Sequence, residues 1–382
     1  MQNFIHSLKA YGVFVCCVLF AGIALGNTVQ ATSALIEQEW QAYPAEAKKF
    51  QFTKATLKQS WAELMRDELY PWPDQQYLKS RYNQLEAAQI LYKITNKQTL
   101  SKPKSKLPKE LHKLVKLYRK GRLTDESIPT KYQTVYTYLT KEGLHPAVKQ
   151  MLSGNFQPIA DAVQDAWAAY FNGNYQAAFE QGMRLGPLGI DPAMIAAANH
   201  VYFLVDERQK AKSYLPLITE METFQEIDSK NFYVNFLLLY TRLRYLESLH
   251  AVDAEATGWI KPSLKTMEEL LKQKPNHFDL IAMKAGFYSA IIGKAGNYLA
   301  ELWYKIEDLE AQKYFAITIK RHPELAQTSY EHARGLVALD YFRYKPEIKK
   351  KLQQCSGINT ISAYEELNRL NCLSLKKELF KS

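Results

Sequence analysis

The residue types that most often carry enzyme chemistry are present in this sequence, but their spacing forms no recognisable active site. Eight histidines occur, and no two of those beyond His6 stand four residues apart, the spacing that puts two metal ligands on one face of a helix. The chain has no HExxH pair, no GxSxG turn, no Walker loop and no GxGxxG. His322 and His332 are interpreted as surface residues. We therefore predict no enzyme activity, no catalytic residue, no metal site and no cofactor.

The cysteines point to a disulfide. Cys16 and Cys17 lie inside an apolar N-terminal run, whereas Cys355 and Cys372 lie near the C-terminus. In an exported chain we expect Cys355 and Cys372 to form a disulfide that holds the terminal helix and contributes about 2–4 kcal/mol to stability. The alternative is two unrelated buried thiols.

The N-terminus has the pattern of an export leader. No charged residue occurs between Lys9 and Glu37, and the centre of this stretch is almost wholly apolar. Small residues around Ala31 fit the exit site of a cleaved signal peptide, residues 1–31. Because the uncharged run is also long enough to span a bilayer, an uncleaved inner-membrane anchor is the alternative. Both interpretations place the rest of the chain in the periplasm.

The net charge of +10 is concentrated in one stretch. From Lys97 to Arg122 there are eight lysines and two arginines against one acid, so nine of the ten net positive charges lie there. The second part of this stretch has the pattern of a basic amphipathic helix, with these cations on its polar side: Lys113, Lys116, Arg119 and Lys120. They predict binding to an anionic membrane surface or cell-wall polymer; the alternative is an ordinary solvated helix face. Export argues against nucleic acid as the partner.

Helical periodicity and proline positions divide the mature chain into four blocks. They are an N-terminal helical block (35–96), a basic linker with its amphipathic helix (97–122), a long helical-repeat region (130–345) and a C-terminal helical cap with the disulfide (346–382). The fold class predicted is therefore all-α.

Three stretches of the long region resemble the tetratricopeptide (TPR) unit, a pair of antiparallel helices with small residues at the close contacts and a proline at the end. The first has Ala166, the turn Gly173-Asn174-Tyr175, Ala178 and a closing Ile190-Asp191-Pro192. The second ends one helix at Pro275 and begins the next at Asn276-His277-Phe278. The third has Ala311, Phe315, the ending His322-Pro323 and a following helix from Glu324 to Val337.

The spacing of these units is irregular. Pro275 and Pro323 are 48 residues apart, more than the regular repeat of about 34, which predicts an insertion around Ile292 to Asp308. The stretch from Pro275 to Val337 also resembles a group of exported helical-repeat proteins of Gram-negative bacteria. That resemblance implies an irregular α-solenoid in the periplasm and implies no activity.

In TPR-like stacks the first helices of successive pairs line a concave surface. By this alignment the concave residues are Trp167, Tyr170 and Phe171, then Asp279 and Ser289, then Tyr330 and Arg334. Aromatic residues with an arginine are typical anchors of a peptide groove, although an aromatic stripe is also typical of a core. Lys294, between Gly293 and Gly296, is expected at a bend where its amine reaches an acidic group or solvent.

These patterns favour a periplasmic interaction scaffold that recruits a protein partner for an envelope assembly, such as a secretion or cell-wall machine. A small-ligand or lipid-binding accessory of a transporter is the alternative, and it predicts a closed apolar pocket near Phe287 to Trp303. A cell-wall hydrolase is the remote alternative, because an active site assembled across repeats leaves no local motif.

Overall fold

The computed structural model describes residues 40–66, 70–81, 109–124, 127–128 and 143–380. Within these residues it has sixteen α-helices, one short 3-10 turn and no strand, so the prediction of an all-α protein is confirmed for this part of the chain. In chain order the helices are α1 (Lys54–Leu64), α2 (Gln75–Arg81), α3 (Lys109–Arg119), α4 (Pro146–Leu152), α5 (Gln157–Phe171), α6 (Tyr175–Arg184), α7 (Ile190–Leu204), α8 (Glu207–Ile227), α9 (Phe232–Ser248), α10 (Ala251–Ala256), α11 (Ile260–Gln273), α12 (Phe278–Ala295), α13 (Asn297–Tyr304), α14 (Asp308–Arg321), α15 (Ala326–Ser356) and α16 (Ala363–Leu379). The predicted leader, residues 1–31, lies outside the described residues.

Side-chain caps fix where several helices begin. Thr53 and Thr56 form a reciprocal capping box at the start of α1. Asn231 accepts hydrogen bonds from the amides of Tyr233 and Val234 and so starts α9. Gly296, at φ +81, ends α12, because a residue without a Cβ adopts this conformation at no steric cost.

Helices occur in all three repeat-like stretches, and neighbouring helices there pack against one another. The turn at residues 172–174 joins α5 to α6, and Ala166 and Ala178 are fully buried where these two helices pack. Ile190-Asp191-Pro192, expected to close the pair, instead begins α7, where a proline is tolerated because first-turn amides have no helical partner. The over-long unit contains an extra short helix, α13, within the stretch predicted to be an insertion.

Close approach between neighbouring helices depends on glycine at a few positions. Gly335 of α15 lies against the ring of Phe315 on α14, and a Cβ built at Gly335 would stand 2.4 Å from the Phe315 Cζ atom. Gly182 near the end of α6 meets Gly189 at the start of α7 with similar closeness. Some helices pack on their chain neighbours, as α5 on α6 and α8 on α9 do, whereas α12 packs mainly on α14 and α15, beyond the short α13.

Helix α15 is interrupted at Asp340, whose backbone is extended at φ −168 and ψ 100. The Asp340 carboxylate accepts a hydrogen bond from the Arg343 amide, and Pro346 follows in the next turn, so a second helical stretch begins here with its own cap. The domain boundary predicted at residue 346 therefore falls inside α15. Cys355 on α15 and Cys372 on α16 are buried with their sulfur atoms at disulfide-bonding distance and their Cα atoms 6.1 Å apart.

Candidate functional site

Six helices of the stack contribute side chains to one interior surface, which we call the interior wall. It is formed by α5, α7, α9, α12, α15 and α16, and it borders a cavity of about 80 Å³. Three of its residues form a hydrogen-bonded chain in which the Tyr240 hydroxyl donates to Asn199 Oδ1 at 2.6 Å and Asn199 Nδ2 donates to the Tyr170 hydroxyl at 2.8 Å. Burial raises the pKa of Tyr170 well above its usual value, so this phenol stays neutral.

The first part of the chain covers this wall. We call residues 40–66 and 70–73 the N-terminal segment. Its Trp61 ring meets the Trp167 ring edge-on at 5.6 Å, and its Tyr70 ring stacks on Tyr233 at 4.4 Å. The Trp61 Nε1 atom donates to the Tyr70 carbonyl at 2.8 Å, which holds the two anchors together. The wall is therefore in contact with a polypeptide, and that polypeptide is its own chain.

The predicted groove residues Trp167, Tyr170 and Phe171 do come together on the wall, but they are 3%, 5% and 4% exposed. They lie beneath the N-terminal segment, so they are open to a partner only where that segment has moved away. Asp279 also lies on the wall, as expected. The aromatic stripe was expected to be either core or groove. It has features of both, since the surface that would face a ligand is packed against residues of the same chain.

Arg66 is the most elaborate contact of the segment with the wall. Its Nη1 atom donates to both carboxylate oxygens of Asp279 at 3.1 Å, and its Nη2 atom donates to Gln327 Oε1 at 2.7 Å and to Glu365 Oε1 at 3.4 Å. The guanidinium also lies 5.1 Å from the ring centre of Phe278. Asp279, Gln327, Glu365 and Phe278 together are called the arginine receptor below.

The receptor places two carboxylates against the single guanidinium of Arg66 at close range. Burial alone would lower the pKa of Arg66, but Asp279 and Glu365 outweigh it and raise that pKa above its ordinary value. Burial raises the pKa of Glu365, against the opposing effect of Arg66. The other Glu365 oxygen accepts from the Ala326 amide at 2.7 Å, so this carboxylate also caps the N-terminus of α15.

A second charged cluster lies at the other end of the wall. Arg244 donates to Glu247 at 2.9 Å and to Glu331 at 2.7 Å, while Arg334 donates to the same two carboxylates at 2.7 and 3.4 Å. These four residues form a closed charge ring that joins α9 to α15. Burial opposes ionisation of Glu247, but Arg334 and Arg244 outweigh it and lower the Glu247 pKa.

Beyond the charge ring lies a cleft of about 460 Å³. The predicted residues Tyr330 and Arg334 border it, together with Tyr202 and Lys210. Tyr202 donates to Glu331 Oε1 at 3.2 Å, and the Arg244 guanidinium lies 4.0 Å from its ring centre. Because Arg244 and Glu247 border both the cleft and the cavity, the charge ring separates two voids along one surface.

Two of the remaining residues lie elsewhere than expected, and Lys294 lies where the alternative put it. Ser289 is fully buried, donates to the Ala285 carbonyl at 3.0 Å within its own helix and does not border the cavity. Lys294 is exposed in the last turn of α12 before Gly296, and its amine donates to the backbone carbonyl of Leu249. His332, expected at the surface, is 6% exposed and stacks on Phe315 at 4.8 Å, where burial lowers its pKa to about 3.

The basic helix is present as α3. Its apolar side is buried at Leu111, Leu114 and Val115. The four predicted cations, Lys113, Lys116, Arg119 and Lys120, are all exposed. The preceding basic linker, residues 97–108, lies outside the described residues, and binding of an anionic surface stays a prediction.

Sequence reasoning missed Arg66, Arg244, Glu247 and Glu365. Arg66 and Glu365 find their partners far along the chain, so no local motif marks their contacts. Arg244 and Glu247 stand three residues apart on α9, but this spacing is equally typical of an exposed ion pair on a helix face. Ser362 followed three residues later by Glu365 is likewise typical of an exposed capping box. Ser362 does cap α16, but Glu365 turns inward and caps α15.

The described residues contain no metal-ligand cluster and no membrane-spanning helix, and comparisons with known proteins gave no match. No group of three or more metal-binding side chains occurs in the described part of the chain. None of the helices described is long and apolar enough to cross a bilayer. Comparison of the chain with protein-family models, with curated proteins and with solved structures gave no match.

Proposed function

We propose that this protein is a TPR-like interaction scaffold whose interior wall binds a polypeptide segment of a partner. The observation that carries the proposal is the seating of Trp61 and Arg66 on that wall. It supports the proposal because the wall already accommodates a polypeptide segment with a large aromatic side chain and a desolvated arginine, two residue types that dominate peptide and protein interfaces.

The repeat geometry supports the TPR-like part of the proposal. The neighbouring helices α5 and α6, and likewise α14 and α15, have small residues at their closest contacts, namely Ala166, Ala178 and Gly335. The first helices of successive pairs supply the wall, as a concave recognition surface requires. The extra helix α13 and the break at Asp340 make the stack irregular.

An exported protein of the bacterial envelope is the setting that fits best. The uncharged leader and the pairing of Cys355 with Cys372 at bonding distance support export to an oxidising compartment. The exposed cations of α3 would then hold the scaffold near anionic lipid or cell-wall polymer. N-terminal sequencing of the mature protein tests the leader: a start near Thr32 is expected, and an intact N-terminus would favour the anchor.

Small-ligand binding remains a second candidate because of the cleft. At about 460 Å³ it has room for a metabolite, and Tyr202, Lys210 and Arg334 offer it hydrogen-bond donors. This candidate predicts a closed apolar pocket near Phe287 to Trp303. The two ends of that stretch do not favour it, since Phe287 is packed in the core and Trp303 is 50% exposed.

Site-specific photo-crosslinking in intact cells tests the scaffold. A photoreactive phenylalanine analogue at Phe203 or Leu375 would stand in the cleft, and the same analogue at Lys272 on α11 would stand on an exposed outer position. We expect both cleft positions to capture the same partner and Lys272 to capture none. Equal capture from Lys272, or none from the cleft, would remove the wall as the recognition surface.

A further inference from the structure

The N-terminal segment fits the interior wall incompletely. The cavity of about 80 Å³ lies between them, bordered by Met65, Arg66 and Tyr70 of the segment and by Tyr170, Tyr240 and Met283 of the wall. A void of this size holds several water molecules, so wall surface remains that the segment does not contact. An occupant that filled the space would gain contacts that the segment lacks.

Arg66 itself is held under conformational and hydrogen-bonding cost. Its backbone adopts φ +50, the left-handed region that side-chain-bearing residues rarely occupy. Its Nε atom is buried and has no hydrogen-bond partner among the described residues, although both terminal nitrogens are well paired. The segment therefore reaches the receptor only by accepting local strain and one unmade hydrogen bond.

The arginine receptor has the chemistry to select arginine over lysine. Two carboxylates and an amide oxygen accept from both arms of the guanidinium, and the Phe278 ring faces its plane. A lysine ammonium, a point charge on a flexible stem, can donate to only part of this set of acceptors, whereas the planar guanidinium of arginine donates to all of them at once. An occupant without arginine would leave Asp279 and Glu365 buried beside one another without a cation.

We propose that the N-terminal segment is an intramolecular competitor of the partner, and that the partner segment presents an arginine, preceded by an aromatic residue, to the same receptor. The inference rests on the proposed function, since it names the chemistry of the partner and the regulation of its site. Covalent attachment gives the segment an effective concentration on the order of millimolar, so a modest fit suffices to keep the wall closed. A partner segment that fits the wall better displaces the N-terminal segment from it.

Peptide binding to the full chain tests the competition. A fluorescent peptide with the sequence of residues 54–73 is titrated into the wild-type chain, the Arg66→Ala chain and an Arg208→Ala control, whose arginine side chain is 90% exposed. We expect the peptide to bind Arg66→Ala at least tenfold more tightly than it binds the other two, because the weakened segment competes less. Equal affinity for all three chains would overturn the proposal.

Matched peptides test the receptor. The peptide carrying Arg66→Ala should lose its binding to the Arg66→Ala chain, whereas the peptide carrying Lys58→Ala, a change at an exposed position of α1, should keep it. Equal binding of both altered peptides would show that arginine is not what the receptor selects. Dimerisation of the Arg66→Ala chain by light scattering would identify a second copy as the occupant and would also contradict the proposal.

Hydrogen exchange shows whether the segment opens by itself. In the Arg66→Ala chain the amides of α1 should exchange at least tenfold faster than in wild type, while those of α9 and α12 keep their protection. Loss of protection in all three helices together would mean that the segment is an inseparable part of the core. That outcome ends the competition model but leaves the crosslinking test of the scaffold untouched, so the two failures are distinguishable.

Discussion

Breaking the Arg66–Asp279 contact should cost far more stability than breaking an exposed contact of the same length. Arg66 and Asp279 are joined at 3.1 Å with side chains 8% and 14% exposed, and Lys54 and Asp165 are joined at 3.1 Å with side chains 42% and 53% exposed. Both pairs connect the N-terminal segment to the stack, so distance and topology match and burial differs. This makes Asp165→Asn the control for Asp279→Asn.

The size of the effect follows from the burial. At an effective dielectric constant of about 20, two unit charges at this distance attract by about 5 kcal/mol. Arg66 keeps Glu365 and Gln327 in the Asp279→Asn variant, so we expect a loss of about 3 kcal/mol in the free energy of unfolding, near the lower end for a broken buried pair. Asp165→Asn should cost less than about 1 kcal/mol, because water screens the exposed pair.

Urea unfolding followed by tryptophan fluorescence measures both losses, and a double-mutant cycle with Arg66→Met isolates the pair. We expect a coupling energy of about 2 kcal/mol between positions 66 and 279. Strictly additive losses, or equal losses for the buried and the exposed aspartates, would refute the view that the arginine receptor recognises a desolvated cation.

Three further predictions concern the framework that holds the wall. Gly335→Ala should lower the free energy of unfolding by about 1–3 kcal/mol, because its Cβ would stand 2.4 Å from a phenylalanine ring atom. Gly286→Ala, whose Cβ would have its nearest neighbour 4.0 Å away, should be neutral or stabilising by up to about 1 kcal/mol. Thermal unfolding of both variants decides this. His332 stays neutral in the folded chain because burial lowers its pKa from 6.5 to about 3. The unfolded chain therefore takes up the proton first, and the free energy of unfolding falls as the pH drops from about 6.5 towards 3. Unfolding titrations of His332→Leu should show a weaker acid destabilisation, and the control His250→Leu, at an exposed position, should follow wild type. Cys372→Ser should lower the free energy of unfolding by about 2–4 kcal/mol under oxidising conditions and by less in dithiothreitol. The same loss in both conditions would argue against a disulfide.

The parts of the fold that depend on local sequence were predictable. Helix α5 with its turn at Gly173, the end of α11 at Pro275 and the buried side of α3 all follow from spacing and turn chemistry within about thirty residues. The pairing of Cys355 with Cys372 was predictable because they are the two cysteines that remain beyond the predicted leader. In each case the residues that determine the structure lie close together in the chain or belong to a rare type.

The parts that depend on contacts between distant residues were not predictable. Arg66 contacts residues 213 and 299 positions later, and nothing near it in sequence distinguishes it from a surface arginine. Trp167 and its neighbours lie on the interior wall, but no sequence pattern indicated that the N-terminal segment would cover them. The aromatic stripe alone cannot separate core from groove, since both need the same helical spacing of large apolar side chains.

In the proposed function, selectivity comes from buried charge. Apolar side chains in place of Arg244, Glu247, Glu331 and Arg334 would avoid the desolvation of four charges, so the charge ring is a poor device for stability alone. The carboxylates of the charge ring are already paired with arginines of the stack, so discrimination falls to the arginine receptor, whose two carboxylates are paired with Arg66 of the segment. Desolvated carboxylates penalise every occupant that fails to supply a matching cation, and the penalty exceeds what a matching contact adds. A segment with Arg66 satisfies the receptor imperfectly, an apolar segment does not satisfy it, and a partner with an unstrained arginine would satisfy it best.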